Sequence, residues 1–192
     1  MNKIYNDNLL NIAHQIIDNE QLFDLLILDL NNIEYNEDYE KYKQKIKDIL
    51  AISSYLIKNG SNIIVICSDY IKDTDMDILL SQELLWTKNR TIICKSEFRK
   101  NNLLASEYNY IFWYSNNYRP DDPTPICNNF HNGQELSDLW GDNINIYKRI
   151  IEMFSNENDN IIEPFINNED ISNYCKELNR NYIGVKNKEN EF

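Results

Sequence analysis

The chain has 192 residues, enough to bury one hydrophobic core and too few to divide comfortably, so a single domain over 1–192 is expected. Acids outnumber bases by 31 to 19, the net charge is −12, and no run of Lys and Arg makes a phosphate-binding stripe, which disfavours tight unaided binding to DNA or RNA. No stretch approaches the ~18 apolar residues of a membrane span, and the opening Met1-Asn2-Lys3-Ile4 lacks a basic-then-apolar leader, so a cytoplasmic protein with no membrane partner is expected.

Leu9, Leu10, Ile12, Ala13, Ile16 and Ile17 recur at helical spacing, which predicts an amphipathic helix over 8–22 with Asp7 as its cap. The apolar run Phe23 to Leu30, ending in Asn31-Asn32, reads as a strand buried on both faces. Helical periodicity returns over 39–58, and Asn59-Gly60 supplies a left-handed stop. A second buried strand is predicted over 62–68, a helix over 76–86, and strands over 91–95 and 107–114, the last rich in aromatics. Residues 116–141 hold all but one of the prolines and little periodicity, so they read as an extended surface loop or insertion. Helices over 145–155 and 170–178 and strands over 160–165 and 181–185 complete the chain.

Strands alternating with helices imply an α/β fold, a mostly parallel sheet with helices on both faces, whose ligands bind at the carboxyl ends of the strands. The loops after Asp29 and Phe165 are therefore the candidate site. Cys67, Cys94, Cys127 and Cys175 form no close pair, as expected of reduced thiols. Cys127 and His131 have ligand-like spacing, but without a second pair they read as a loop cysteine beside an exposed histidine, and no metal is expected. His14 falls in the first helix, and neither histidine has an evident serine or cysteine partner, so nucleophilic chemistry has little support.

Ile4-Tyr5-Asn6-Asp7 leads through a helix into Phe23-Asp24-Leu25-Leu26-Ile27-Leu28-Asp29, Leu56 to Val65 turns through Asn59-Gly60 into a strand, and Glu107 to Trp113 follows. The end carries Glu163-Pro164-Phe165 and Arg180-Asn181-Tyr182-Ile183-Gly184. In this order the segments resemble the DNA amino-methyltransferases that modify the exocyclic amine of adenine or cytosine, in the permuted branch where the catalytic motif precedes the cofactor motif. The resemblance covers nearly the whole chain and implies a Rossmann-like methyltransferase fold.

The same resemblance exposes departures. Where the family has Asp-Pro-Pro-Tyr, this chain has Asp29-Leu30-Asn31-Asn32. The acid that accepts from the target amine is kept, whereas the loop-stiffening prolines and the ring that stacks on a flipped base are lost. Tyr35, the nearest aromatic, lies three residues late. Where the family has Phe-x-Gly-x-Gly-Thr against S-adenosylmethionine, the run is Phe165-Ile166-Asn167-Asn168-Glu169-Asp170, with side chains at both glycine positions and acids where the cofactor's carboxylate would meet a helix start. Lys186 stands where an acid usually binds the ribose, and the family's His-Pro-rich segment is replaced by Asp138-Leu139-Trp140-Gly141.

The family motif thus maps the catalytic positions onto Asp29 and Asn32 and the cofactor positions onto Asp7, Glu163, Phe165, Asn167, Glu169 and Lys186. The expectation is a degenerate member without cofactor, serving as a binding or regulatory subunit of an active methyltransferase or another nucleic-acid-processing protein. Homo- and hetero-dimers are both compatible with it, and Tyr108, Tyr110, Trp113 and Tyr114 offer an interface or core packing. The alternative is an active S-adenosylmethionine-dependent methyltransferase with divergent motifs; an acidic DNA mimic or an unrelated α/β binding protein is the third.

Overall fold

The computed structural model describes residues 2–19, 21–32, 39–67, 86–100, 105–116, 127–128, 138–141, 145–166 and 169–186. Among the described residues eight strands form one sheet: β1 (Asn2–Tyr5), β2 (Phe23–Asp29), β3 (Ile57–Cys67), β4 (Thr87–Lys100), β5 (Ala105–Ser115), β6 (Leu139–Trp140), β7 (Asn160–Glu163) and β8 (Asn181–Val185). Their order is β1-β8-β7-β2-β3-β5-β4-β6, and β5 alone runs against its neighbours. The described helices are α1 (Leu9–Asp18), α2 (Tyr39–Ser54), α3 (Ile146–Phe154) and α4 (Asp170–Glu177).

Period-two alternation along β2 builds two cores at once. Leu26 and Leu28 join Leu9, Ile12 and Ile16 of α1 and Ile46, Ile49 and Leu50 of α2 on one face. Leu25 and Ile27 join Ile150, Ile151 and Phe154 of α3 and Ile171 and Cys175 of α4 on the other. The mostly parallel sheet with helices on both faces is as expected.

Several boundaries differ from the reading of the sequence. Asp7 is not the cap of α1: Asn8 has extended backbone and accepts from Leu10 N, while the Asp7 carboxylate accepts from Asn8 N at 2.7 Å and braces the cap from outside. Nor does Asn59-Gly60 stop α2, which ends at Ser54, where Ser53 and Ser54 hydroxyls donate back to the Ile49 and Ala51 carbonyls. Gly60 sits inside β3 with φ 74°, where the pairing with β2 jumps from Phe23–Ile57 to Leu25–Asn62. The glycine lets β3 absorb that bulge.

β7 stops at Glu163 because Pro164 has no N–H to continue the ladder. β1 and β6 have no counterpart in the sequence reading; β6 places buried Trp140 in the sheet near the end of the supposed surface loop. The predicted helix over 76–86 lies outside the described residues except for Trp86, as do Tyr35 and His131. Tyr114 is buried and Trp113 packs into the α3 face, its indole N–H donating to Asn62, which leaves Tyr108 as the most exposed of the four aromatics. No described helix is long and apolar enough to cross a membrane.

Candidate functional site

From β2 the chain passes through α2 to β3 on one side, whereas β7 lies on the other, so a crevice opens where the two crossovers diverge, at the carboxyl ends of β2 and β7. Two carboxyl groups come together there. Leu26 pairs with Ile162, and continuing that register sets Glu163 beside Ile27, one pleat short of Asp29 on the same face.

Asp29 is buried and engaged at both oxygens. The Asn31 amide donates to Oδ1 at 2.9 Å, closing a tight turn, and the Tyr147 phenol donates to Oδ2 at 2.6 Å. Tyr147 is delivered by the first turn of α3, whose start is fixed by Asn145: its side chain accepts from Lys148 N and donates to the Tyr174 hydroxyl. Burial first, and the Asp29 charge and hydrogen bond next, push the Tyr147 phenol far above its ordinary value, so it keeps its proton.

Glu163 is also buried and accepts from the Tyr182 hydroxyl at 2.6 Å. Burial raises its carboxyl to about 8, against the lowering effect of the Tyr182 bond, and the charges of Asp29 and Asp170 add to the rise. Tyr182 is pushed up by burial and then by Glu163. Gly184 makes this arrangement possible: a Cβ there would fall on the Tyr182 hydroxyl and on Ile166 Cδ1, well inside van der Waals contact.

Of the other predicted positions, Phe165 packs on the α1/α2 core with the Lys45 ammonium 5.3 Å from its ring centre. Glu169 occupies the N-cap of α4, but its side chain makes no capping hydrogen bond, so the helix start is not capped by this acid; Asp170 follows in the first turn. Lys186 is tied to β1 through its backbone, its N–H donating to Tyr5 O, while its side chain is exposed. Asp7 sits after β1 at the same end of the sheet, bracing α1. Asn32 ends the 3-10 turn that follows Asp29, and Asn167 lies outside the described residues. Among the described residues no cluster of His, Cys, Asp and Glu could hold a metal.

A family model described as DNA methylase matches residues 17–192. The chain belongs to that DNA methylase family. Solved structures of DNA methylases agree with it in fold. The crystal structure of M1.HpyAVI superposes with a TM-score of 0.77 at 18% identity, covering 98% of this chain and 94% of that one. TTHA0409 of Thermus thermophilus, described as a putative DNA modification methylase, gives 0.74 at 14% identity, with 98% and 90% covered. PvuII DNA methyltransferase, cytosine-N4-specific, gives 0.73 at 10% identity, with 97% and 82% covered. M1.HpyAVI and TTHA0409 have also been solved with S-adenosylmethionine. No curated protein sequence matches the chain.

Within the methylase fold, the structure thus brings Asp29 and Glu163 together at the crevice and sets Asp7, Phe165, Glu169 and Lys186 on loops at the same carboxyl end of the sheet. It adds Tyr147 and Tyr182, which the sequence reading left out of the site. Tyr182 lies within the Arg180-to-Gly184 motif, which is the local signal that marks it. Tyr147 is 118 residues from its partner, and nothing local marks it.

Proposed function

We propose that this DNA methylase relative is a non-catalytic binding or regulatory subunit that no longer takes S-adenosylmethionine. The observation that carries the reading is the Tyr147–Asp29 hydrogen bond. The carboxylate that in an active member accepts from the target amine here accepts from the protein's own phenol and amide. An incoming amine would have to displace a short bond from a half-buried phenol to a buried carboxylate.

The cofactor side supports the same reading. Glu169 and Asp170 place acids at the start of the helix that would receive the cofactor's carboxylate. Non-glycine residues also occupy both positions where the family has glycine. An acidic chain of this kind fits a basic partner protein better than a nucleic-acid backbone.

Titration calorimetry with S-adenosylmethionine tests the proposal: no heat is expected up to about millimolar ligand, whereas micromolar binding defeats it. The second reading, an active enzyme with divergent motifs, rests on Asp29 keeping its place at the end of the central strand. It requires labelled methyl transfer to DNA by the wild type and its loss in Asp29→Asn.

A further inference from the structure

Among the described residues, Asn109 Oδ1, Trp140 Nε1 and Arg149 Nε are buried polar atoms without a hydrogen-bond partner, and all three belong to one locality. Asn109 on β5 pairs with Cys94 on β4, and Cys94 pairs with Trp140 on β6, so the three residues make a row across adjoining strands. With strands about 4.8 Å apart, Asn109 and Trp140 flank the small Cys94 side chain at roughly 10 Å from one another. Over the Trp140 end of this row lies Arg149 of α3, its guanidinium carbon 4.6 Å from the centre of the Trp140 ring. The row crosses β5, β4 and β6, two to four strands from β2 and Asp29, and so lies apart from the crevice between β2 and β7.

Native folds leave few buried polar groups unsatisfied, and each calls for a water, an ion or a ligand. Three on one face of adjoining elements β5, β6 and α3 mark a place for a polar group that can span them. Its sign is set by Arg149. Although the chain carries 31 acids, none of its described ion pairs engages this arginine.

We propose that the Asn109–Trp140–Arg149 row binds phosphate, either free or as a monoester. The guanidinium and indole N–H groups need oxygen acceptors and negative charge, while Asn109 Oδ1 needs a donor. Inorganic phosphate, or a monoester in its monoanionic form, keeps one P–OH and supplies all three; a carboxylate, a sulfate or a phosphodiester supplies acceptors alone. Arg149 is half-buried on the indole, and the proposed site requires its side chain to turn so that the ion reaches both groups.

The test uses the full 15N-labelled chain and its three tryptophan indole signals, with Trp140→Phe to assign one of them. Sodium phosphate is titrated at constant ionic strength, with sodium sulfate, sodium acetate and adenosine 5′-monophosphate as parallel arms. A saturating shift of the Trp140 signal with phosphate, weakened at least about tenfold in Arg149→Met, supports the site. A response to the nucleotide at slightly acid pH, tighter than to free phosphate, assigns the monoester as the source; a response to free phosphate alone assigns the free ion. No saturation by about 20 mM phosphate, an equal response to sulfate, or an unchanged response in Arg149→Met overturns it and leaves buried water as the partner of these groups. Thermal midpoints show that Arg149→Met is folded, and Arg149→Lys, which keeps the charge, is to retain part of the response.

Discussion

Glu163 is a carboxyl group held where water does not reach it, and its titration should be visible in stability. Its ordinary value is 4.5 and its folded value about 8, so between these pH values the folded chain keeps a proton that the unfolded chain has lost. Folding therefore binds protons, and this group's contribution is fully present below about pH 4.5 and lost as pH rises through about 8. The loss approaches about 1.4 kcal/mol per pH unit at most. Urea midpoints for Glu163→Gln should fall less steeply than wild type between about pH 5 and 8; identical slopes would show that Glu163 ionises normally in the fold. Asp29, one pleat away, was named from its motif, but its engagement by Tyr147 could not be, because a phenol 118 residues distant leaves no local trace.

Elements that the sequence announced clearly are those buried on both faces. β2, β8 and the Ile63–Cys67 part of β3 are short, mostly apolar runs, and a strand core of that kind has few alternative conformations that bury it equally well. β1 and β6, four and two residues long, show no period at all and exist because neighbouring strands offer them backbone partners. Arg180 illustrates how an element junction is held. It donates to Ser155 Oγ and O and to Leu178 O, tying the end of α3 to the turn between α4 and β8. Arg180→Ala should cost about 2–4 kcal/mol in chemical denaturation, and Arg180→Lys should recover less than half, since a point charge cannot span all three acceptors. A loss within experimental error for Arg180→Ala would remove the clamp from this account.

At the scale of the whole molecule, charge and topology pull apart. The fold is that of a DNA methylase, yet the chain carries −12 and would approach a phosphate backbone against its own field. In about 0.15 M salt, where screening acts over roughly 8 Å, a gel-shift titration with duplex DNA should show no complex at low micromolar protein. Tight, salt-sensitive binding under those conditions would contradict the binding-subunit proposal and favour the active-enzyme reading. A basic protein should travel with this chain in native purification at low salt, and its absence there counts against the binding-subunit proposal.

The order of residues alone determined the layered α/β class, the central strands and the place of the crevice, because hydrophobic period and strand–helix alternation are local properties that the chain carries even when unfolded. It also marked which positions depart from the methylase motifs. Only folding decided what those departures leave behind. Tyr147 closes on Asp29, Tyr182 lies over Gly184 to reach Glu163, and Asn109 and Trp140 flank Cys94 with polar atoms left unpartnered. Each depends on segments distant in the chain, brought to one place by sheet register and helix packing, so the neighbours of either residue in sequence do not reveal it.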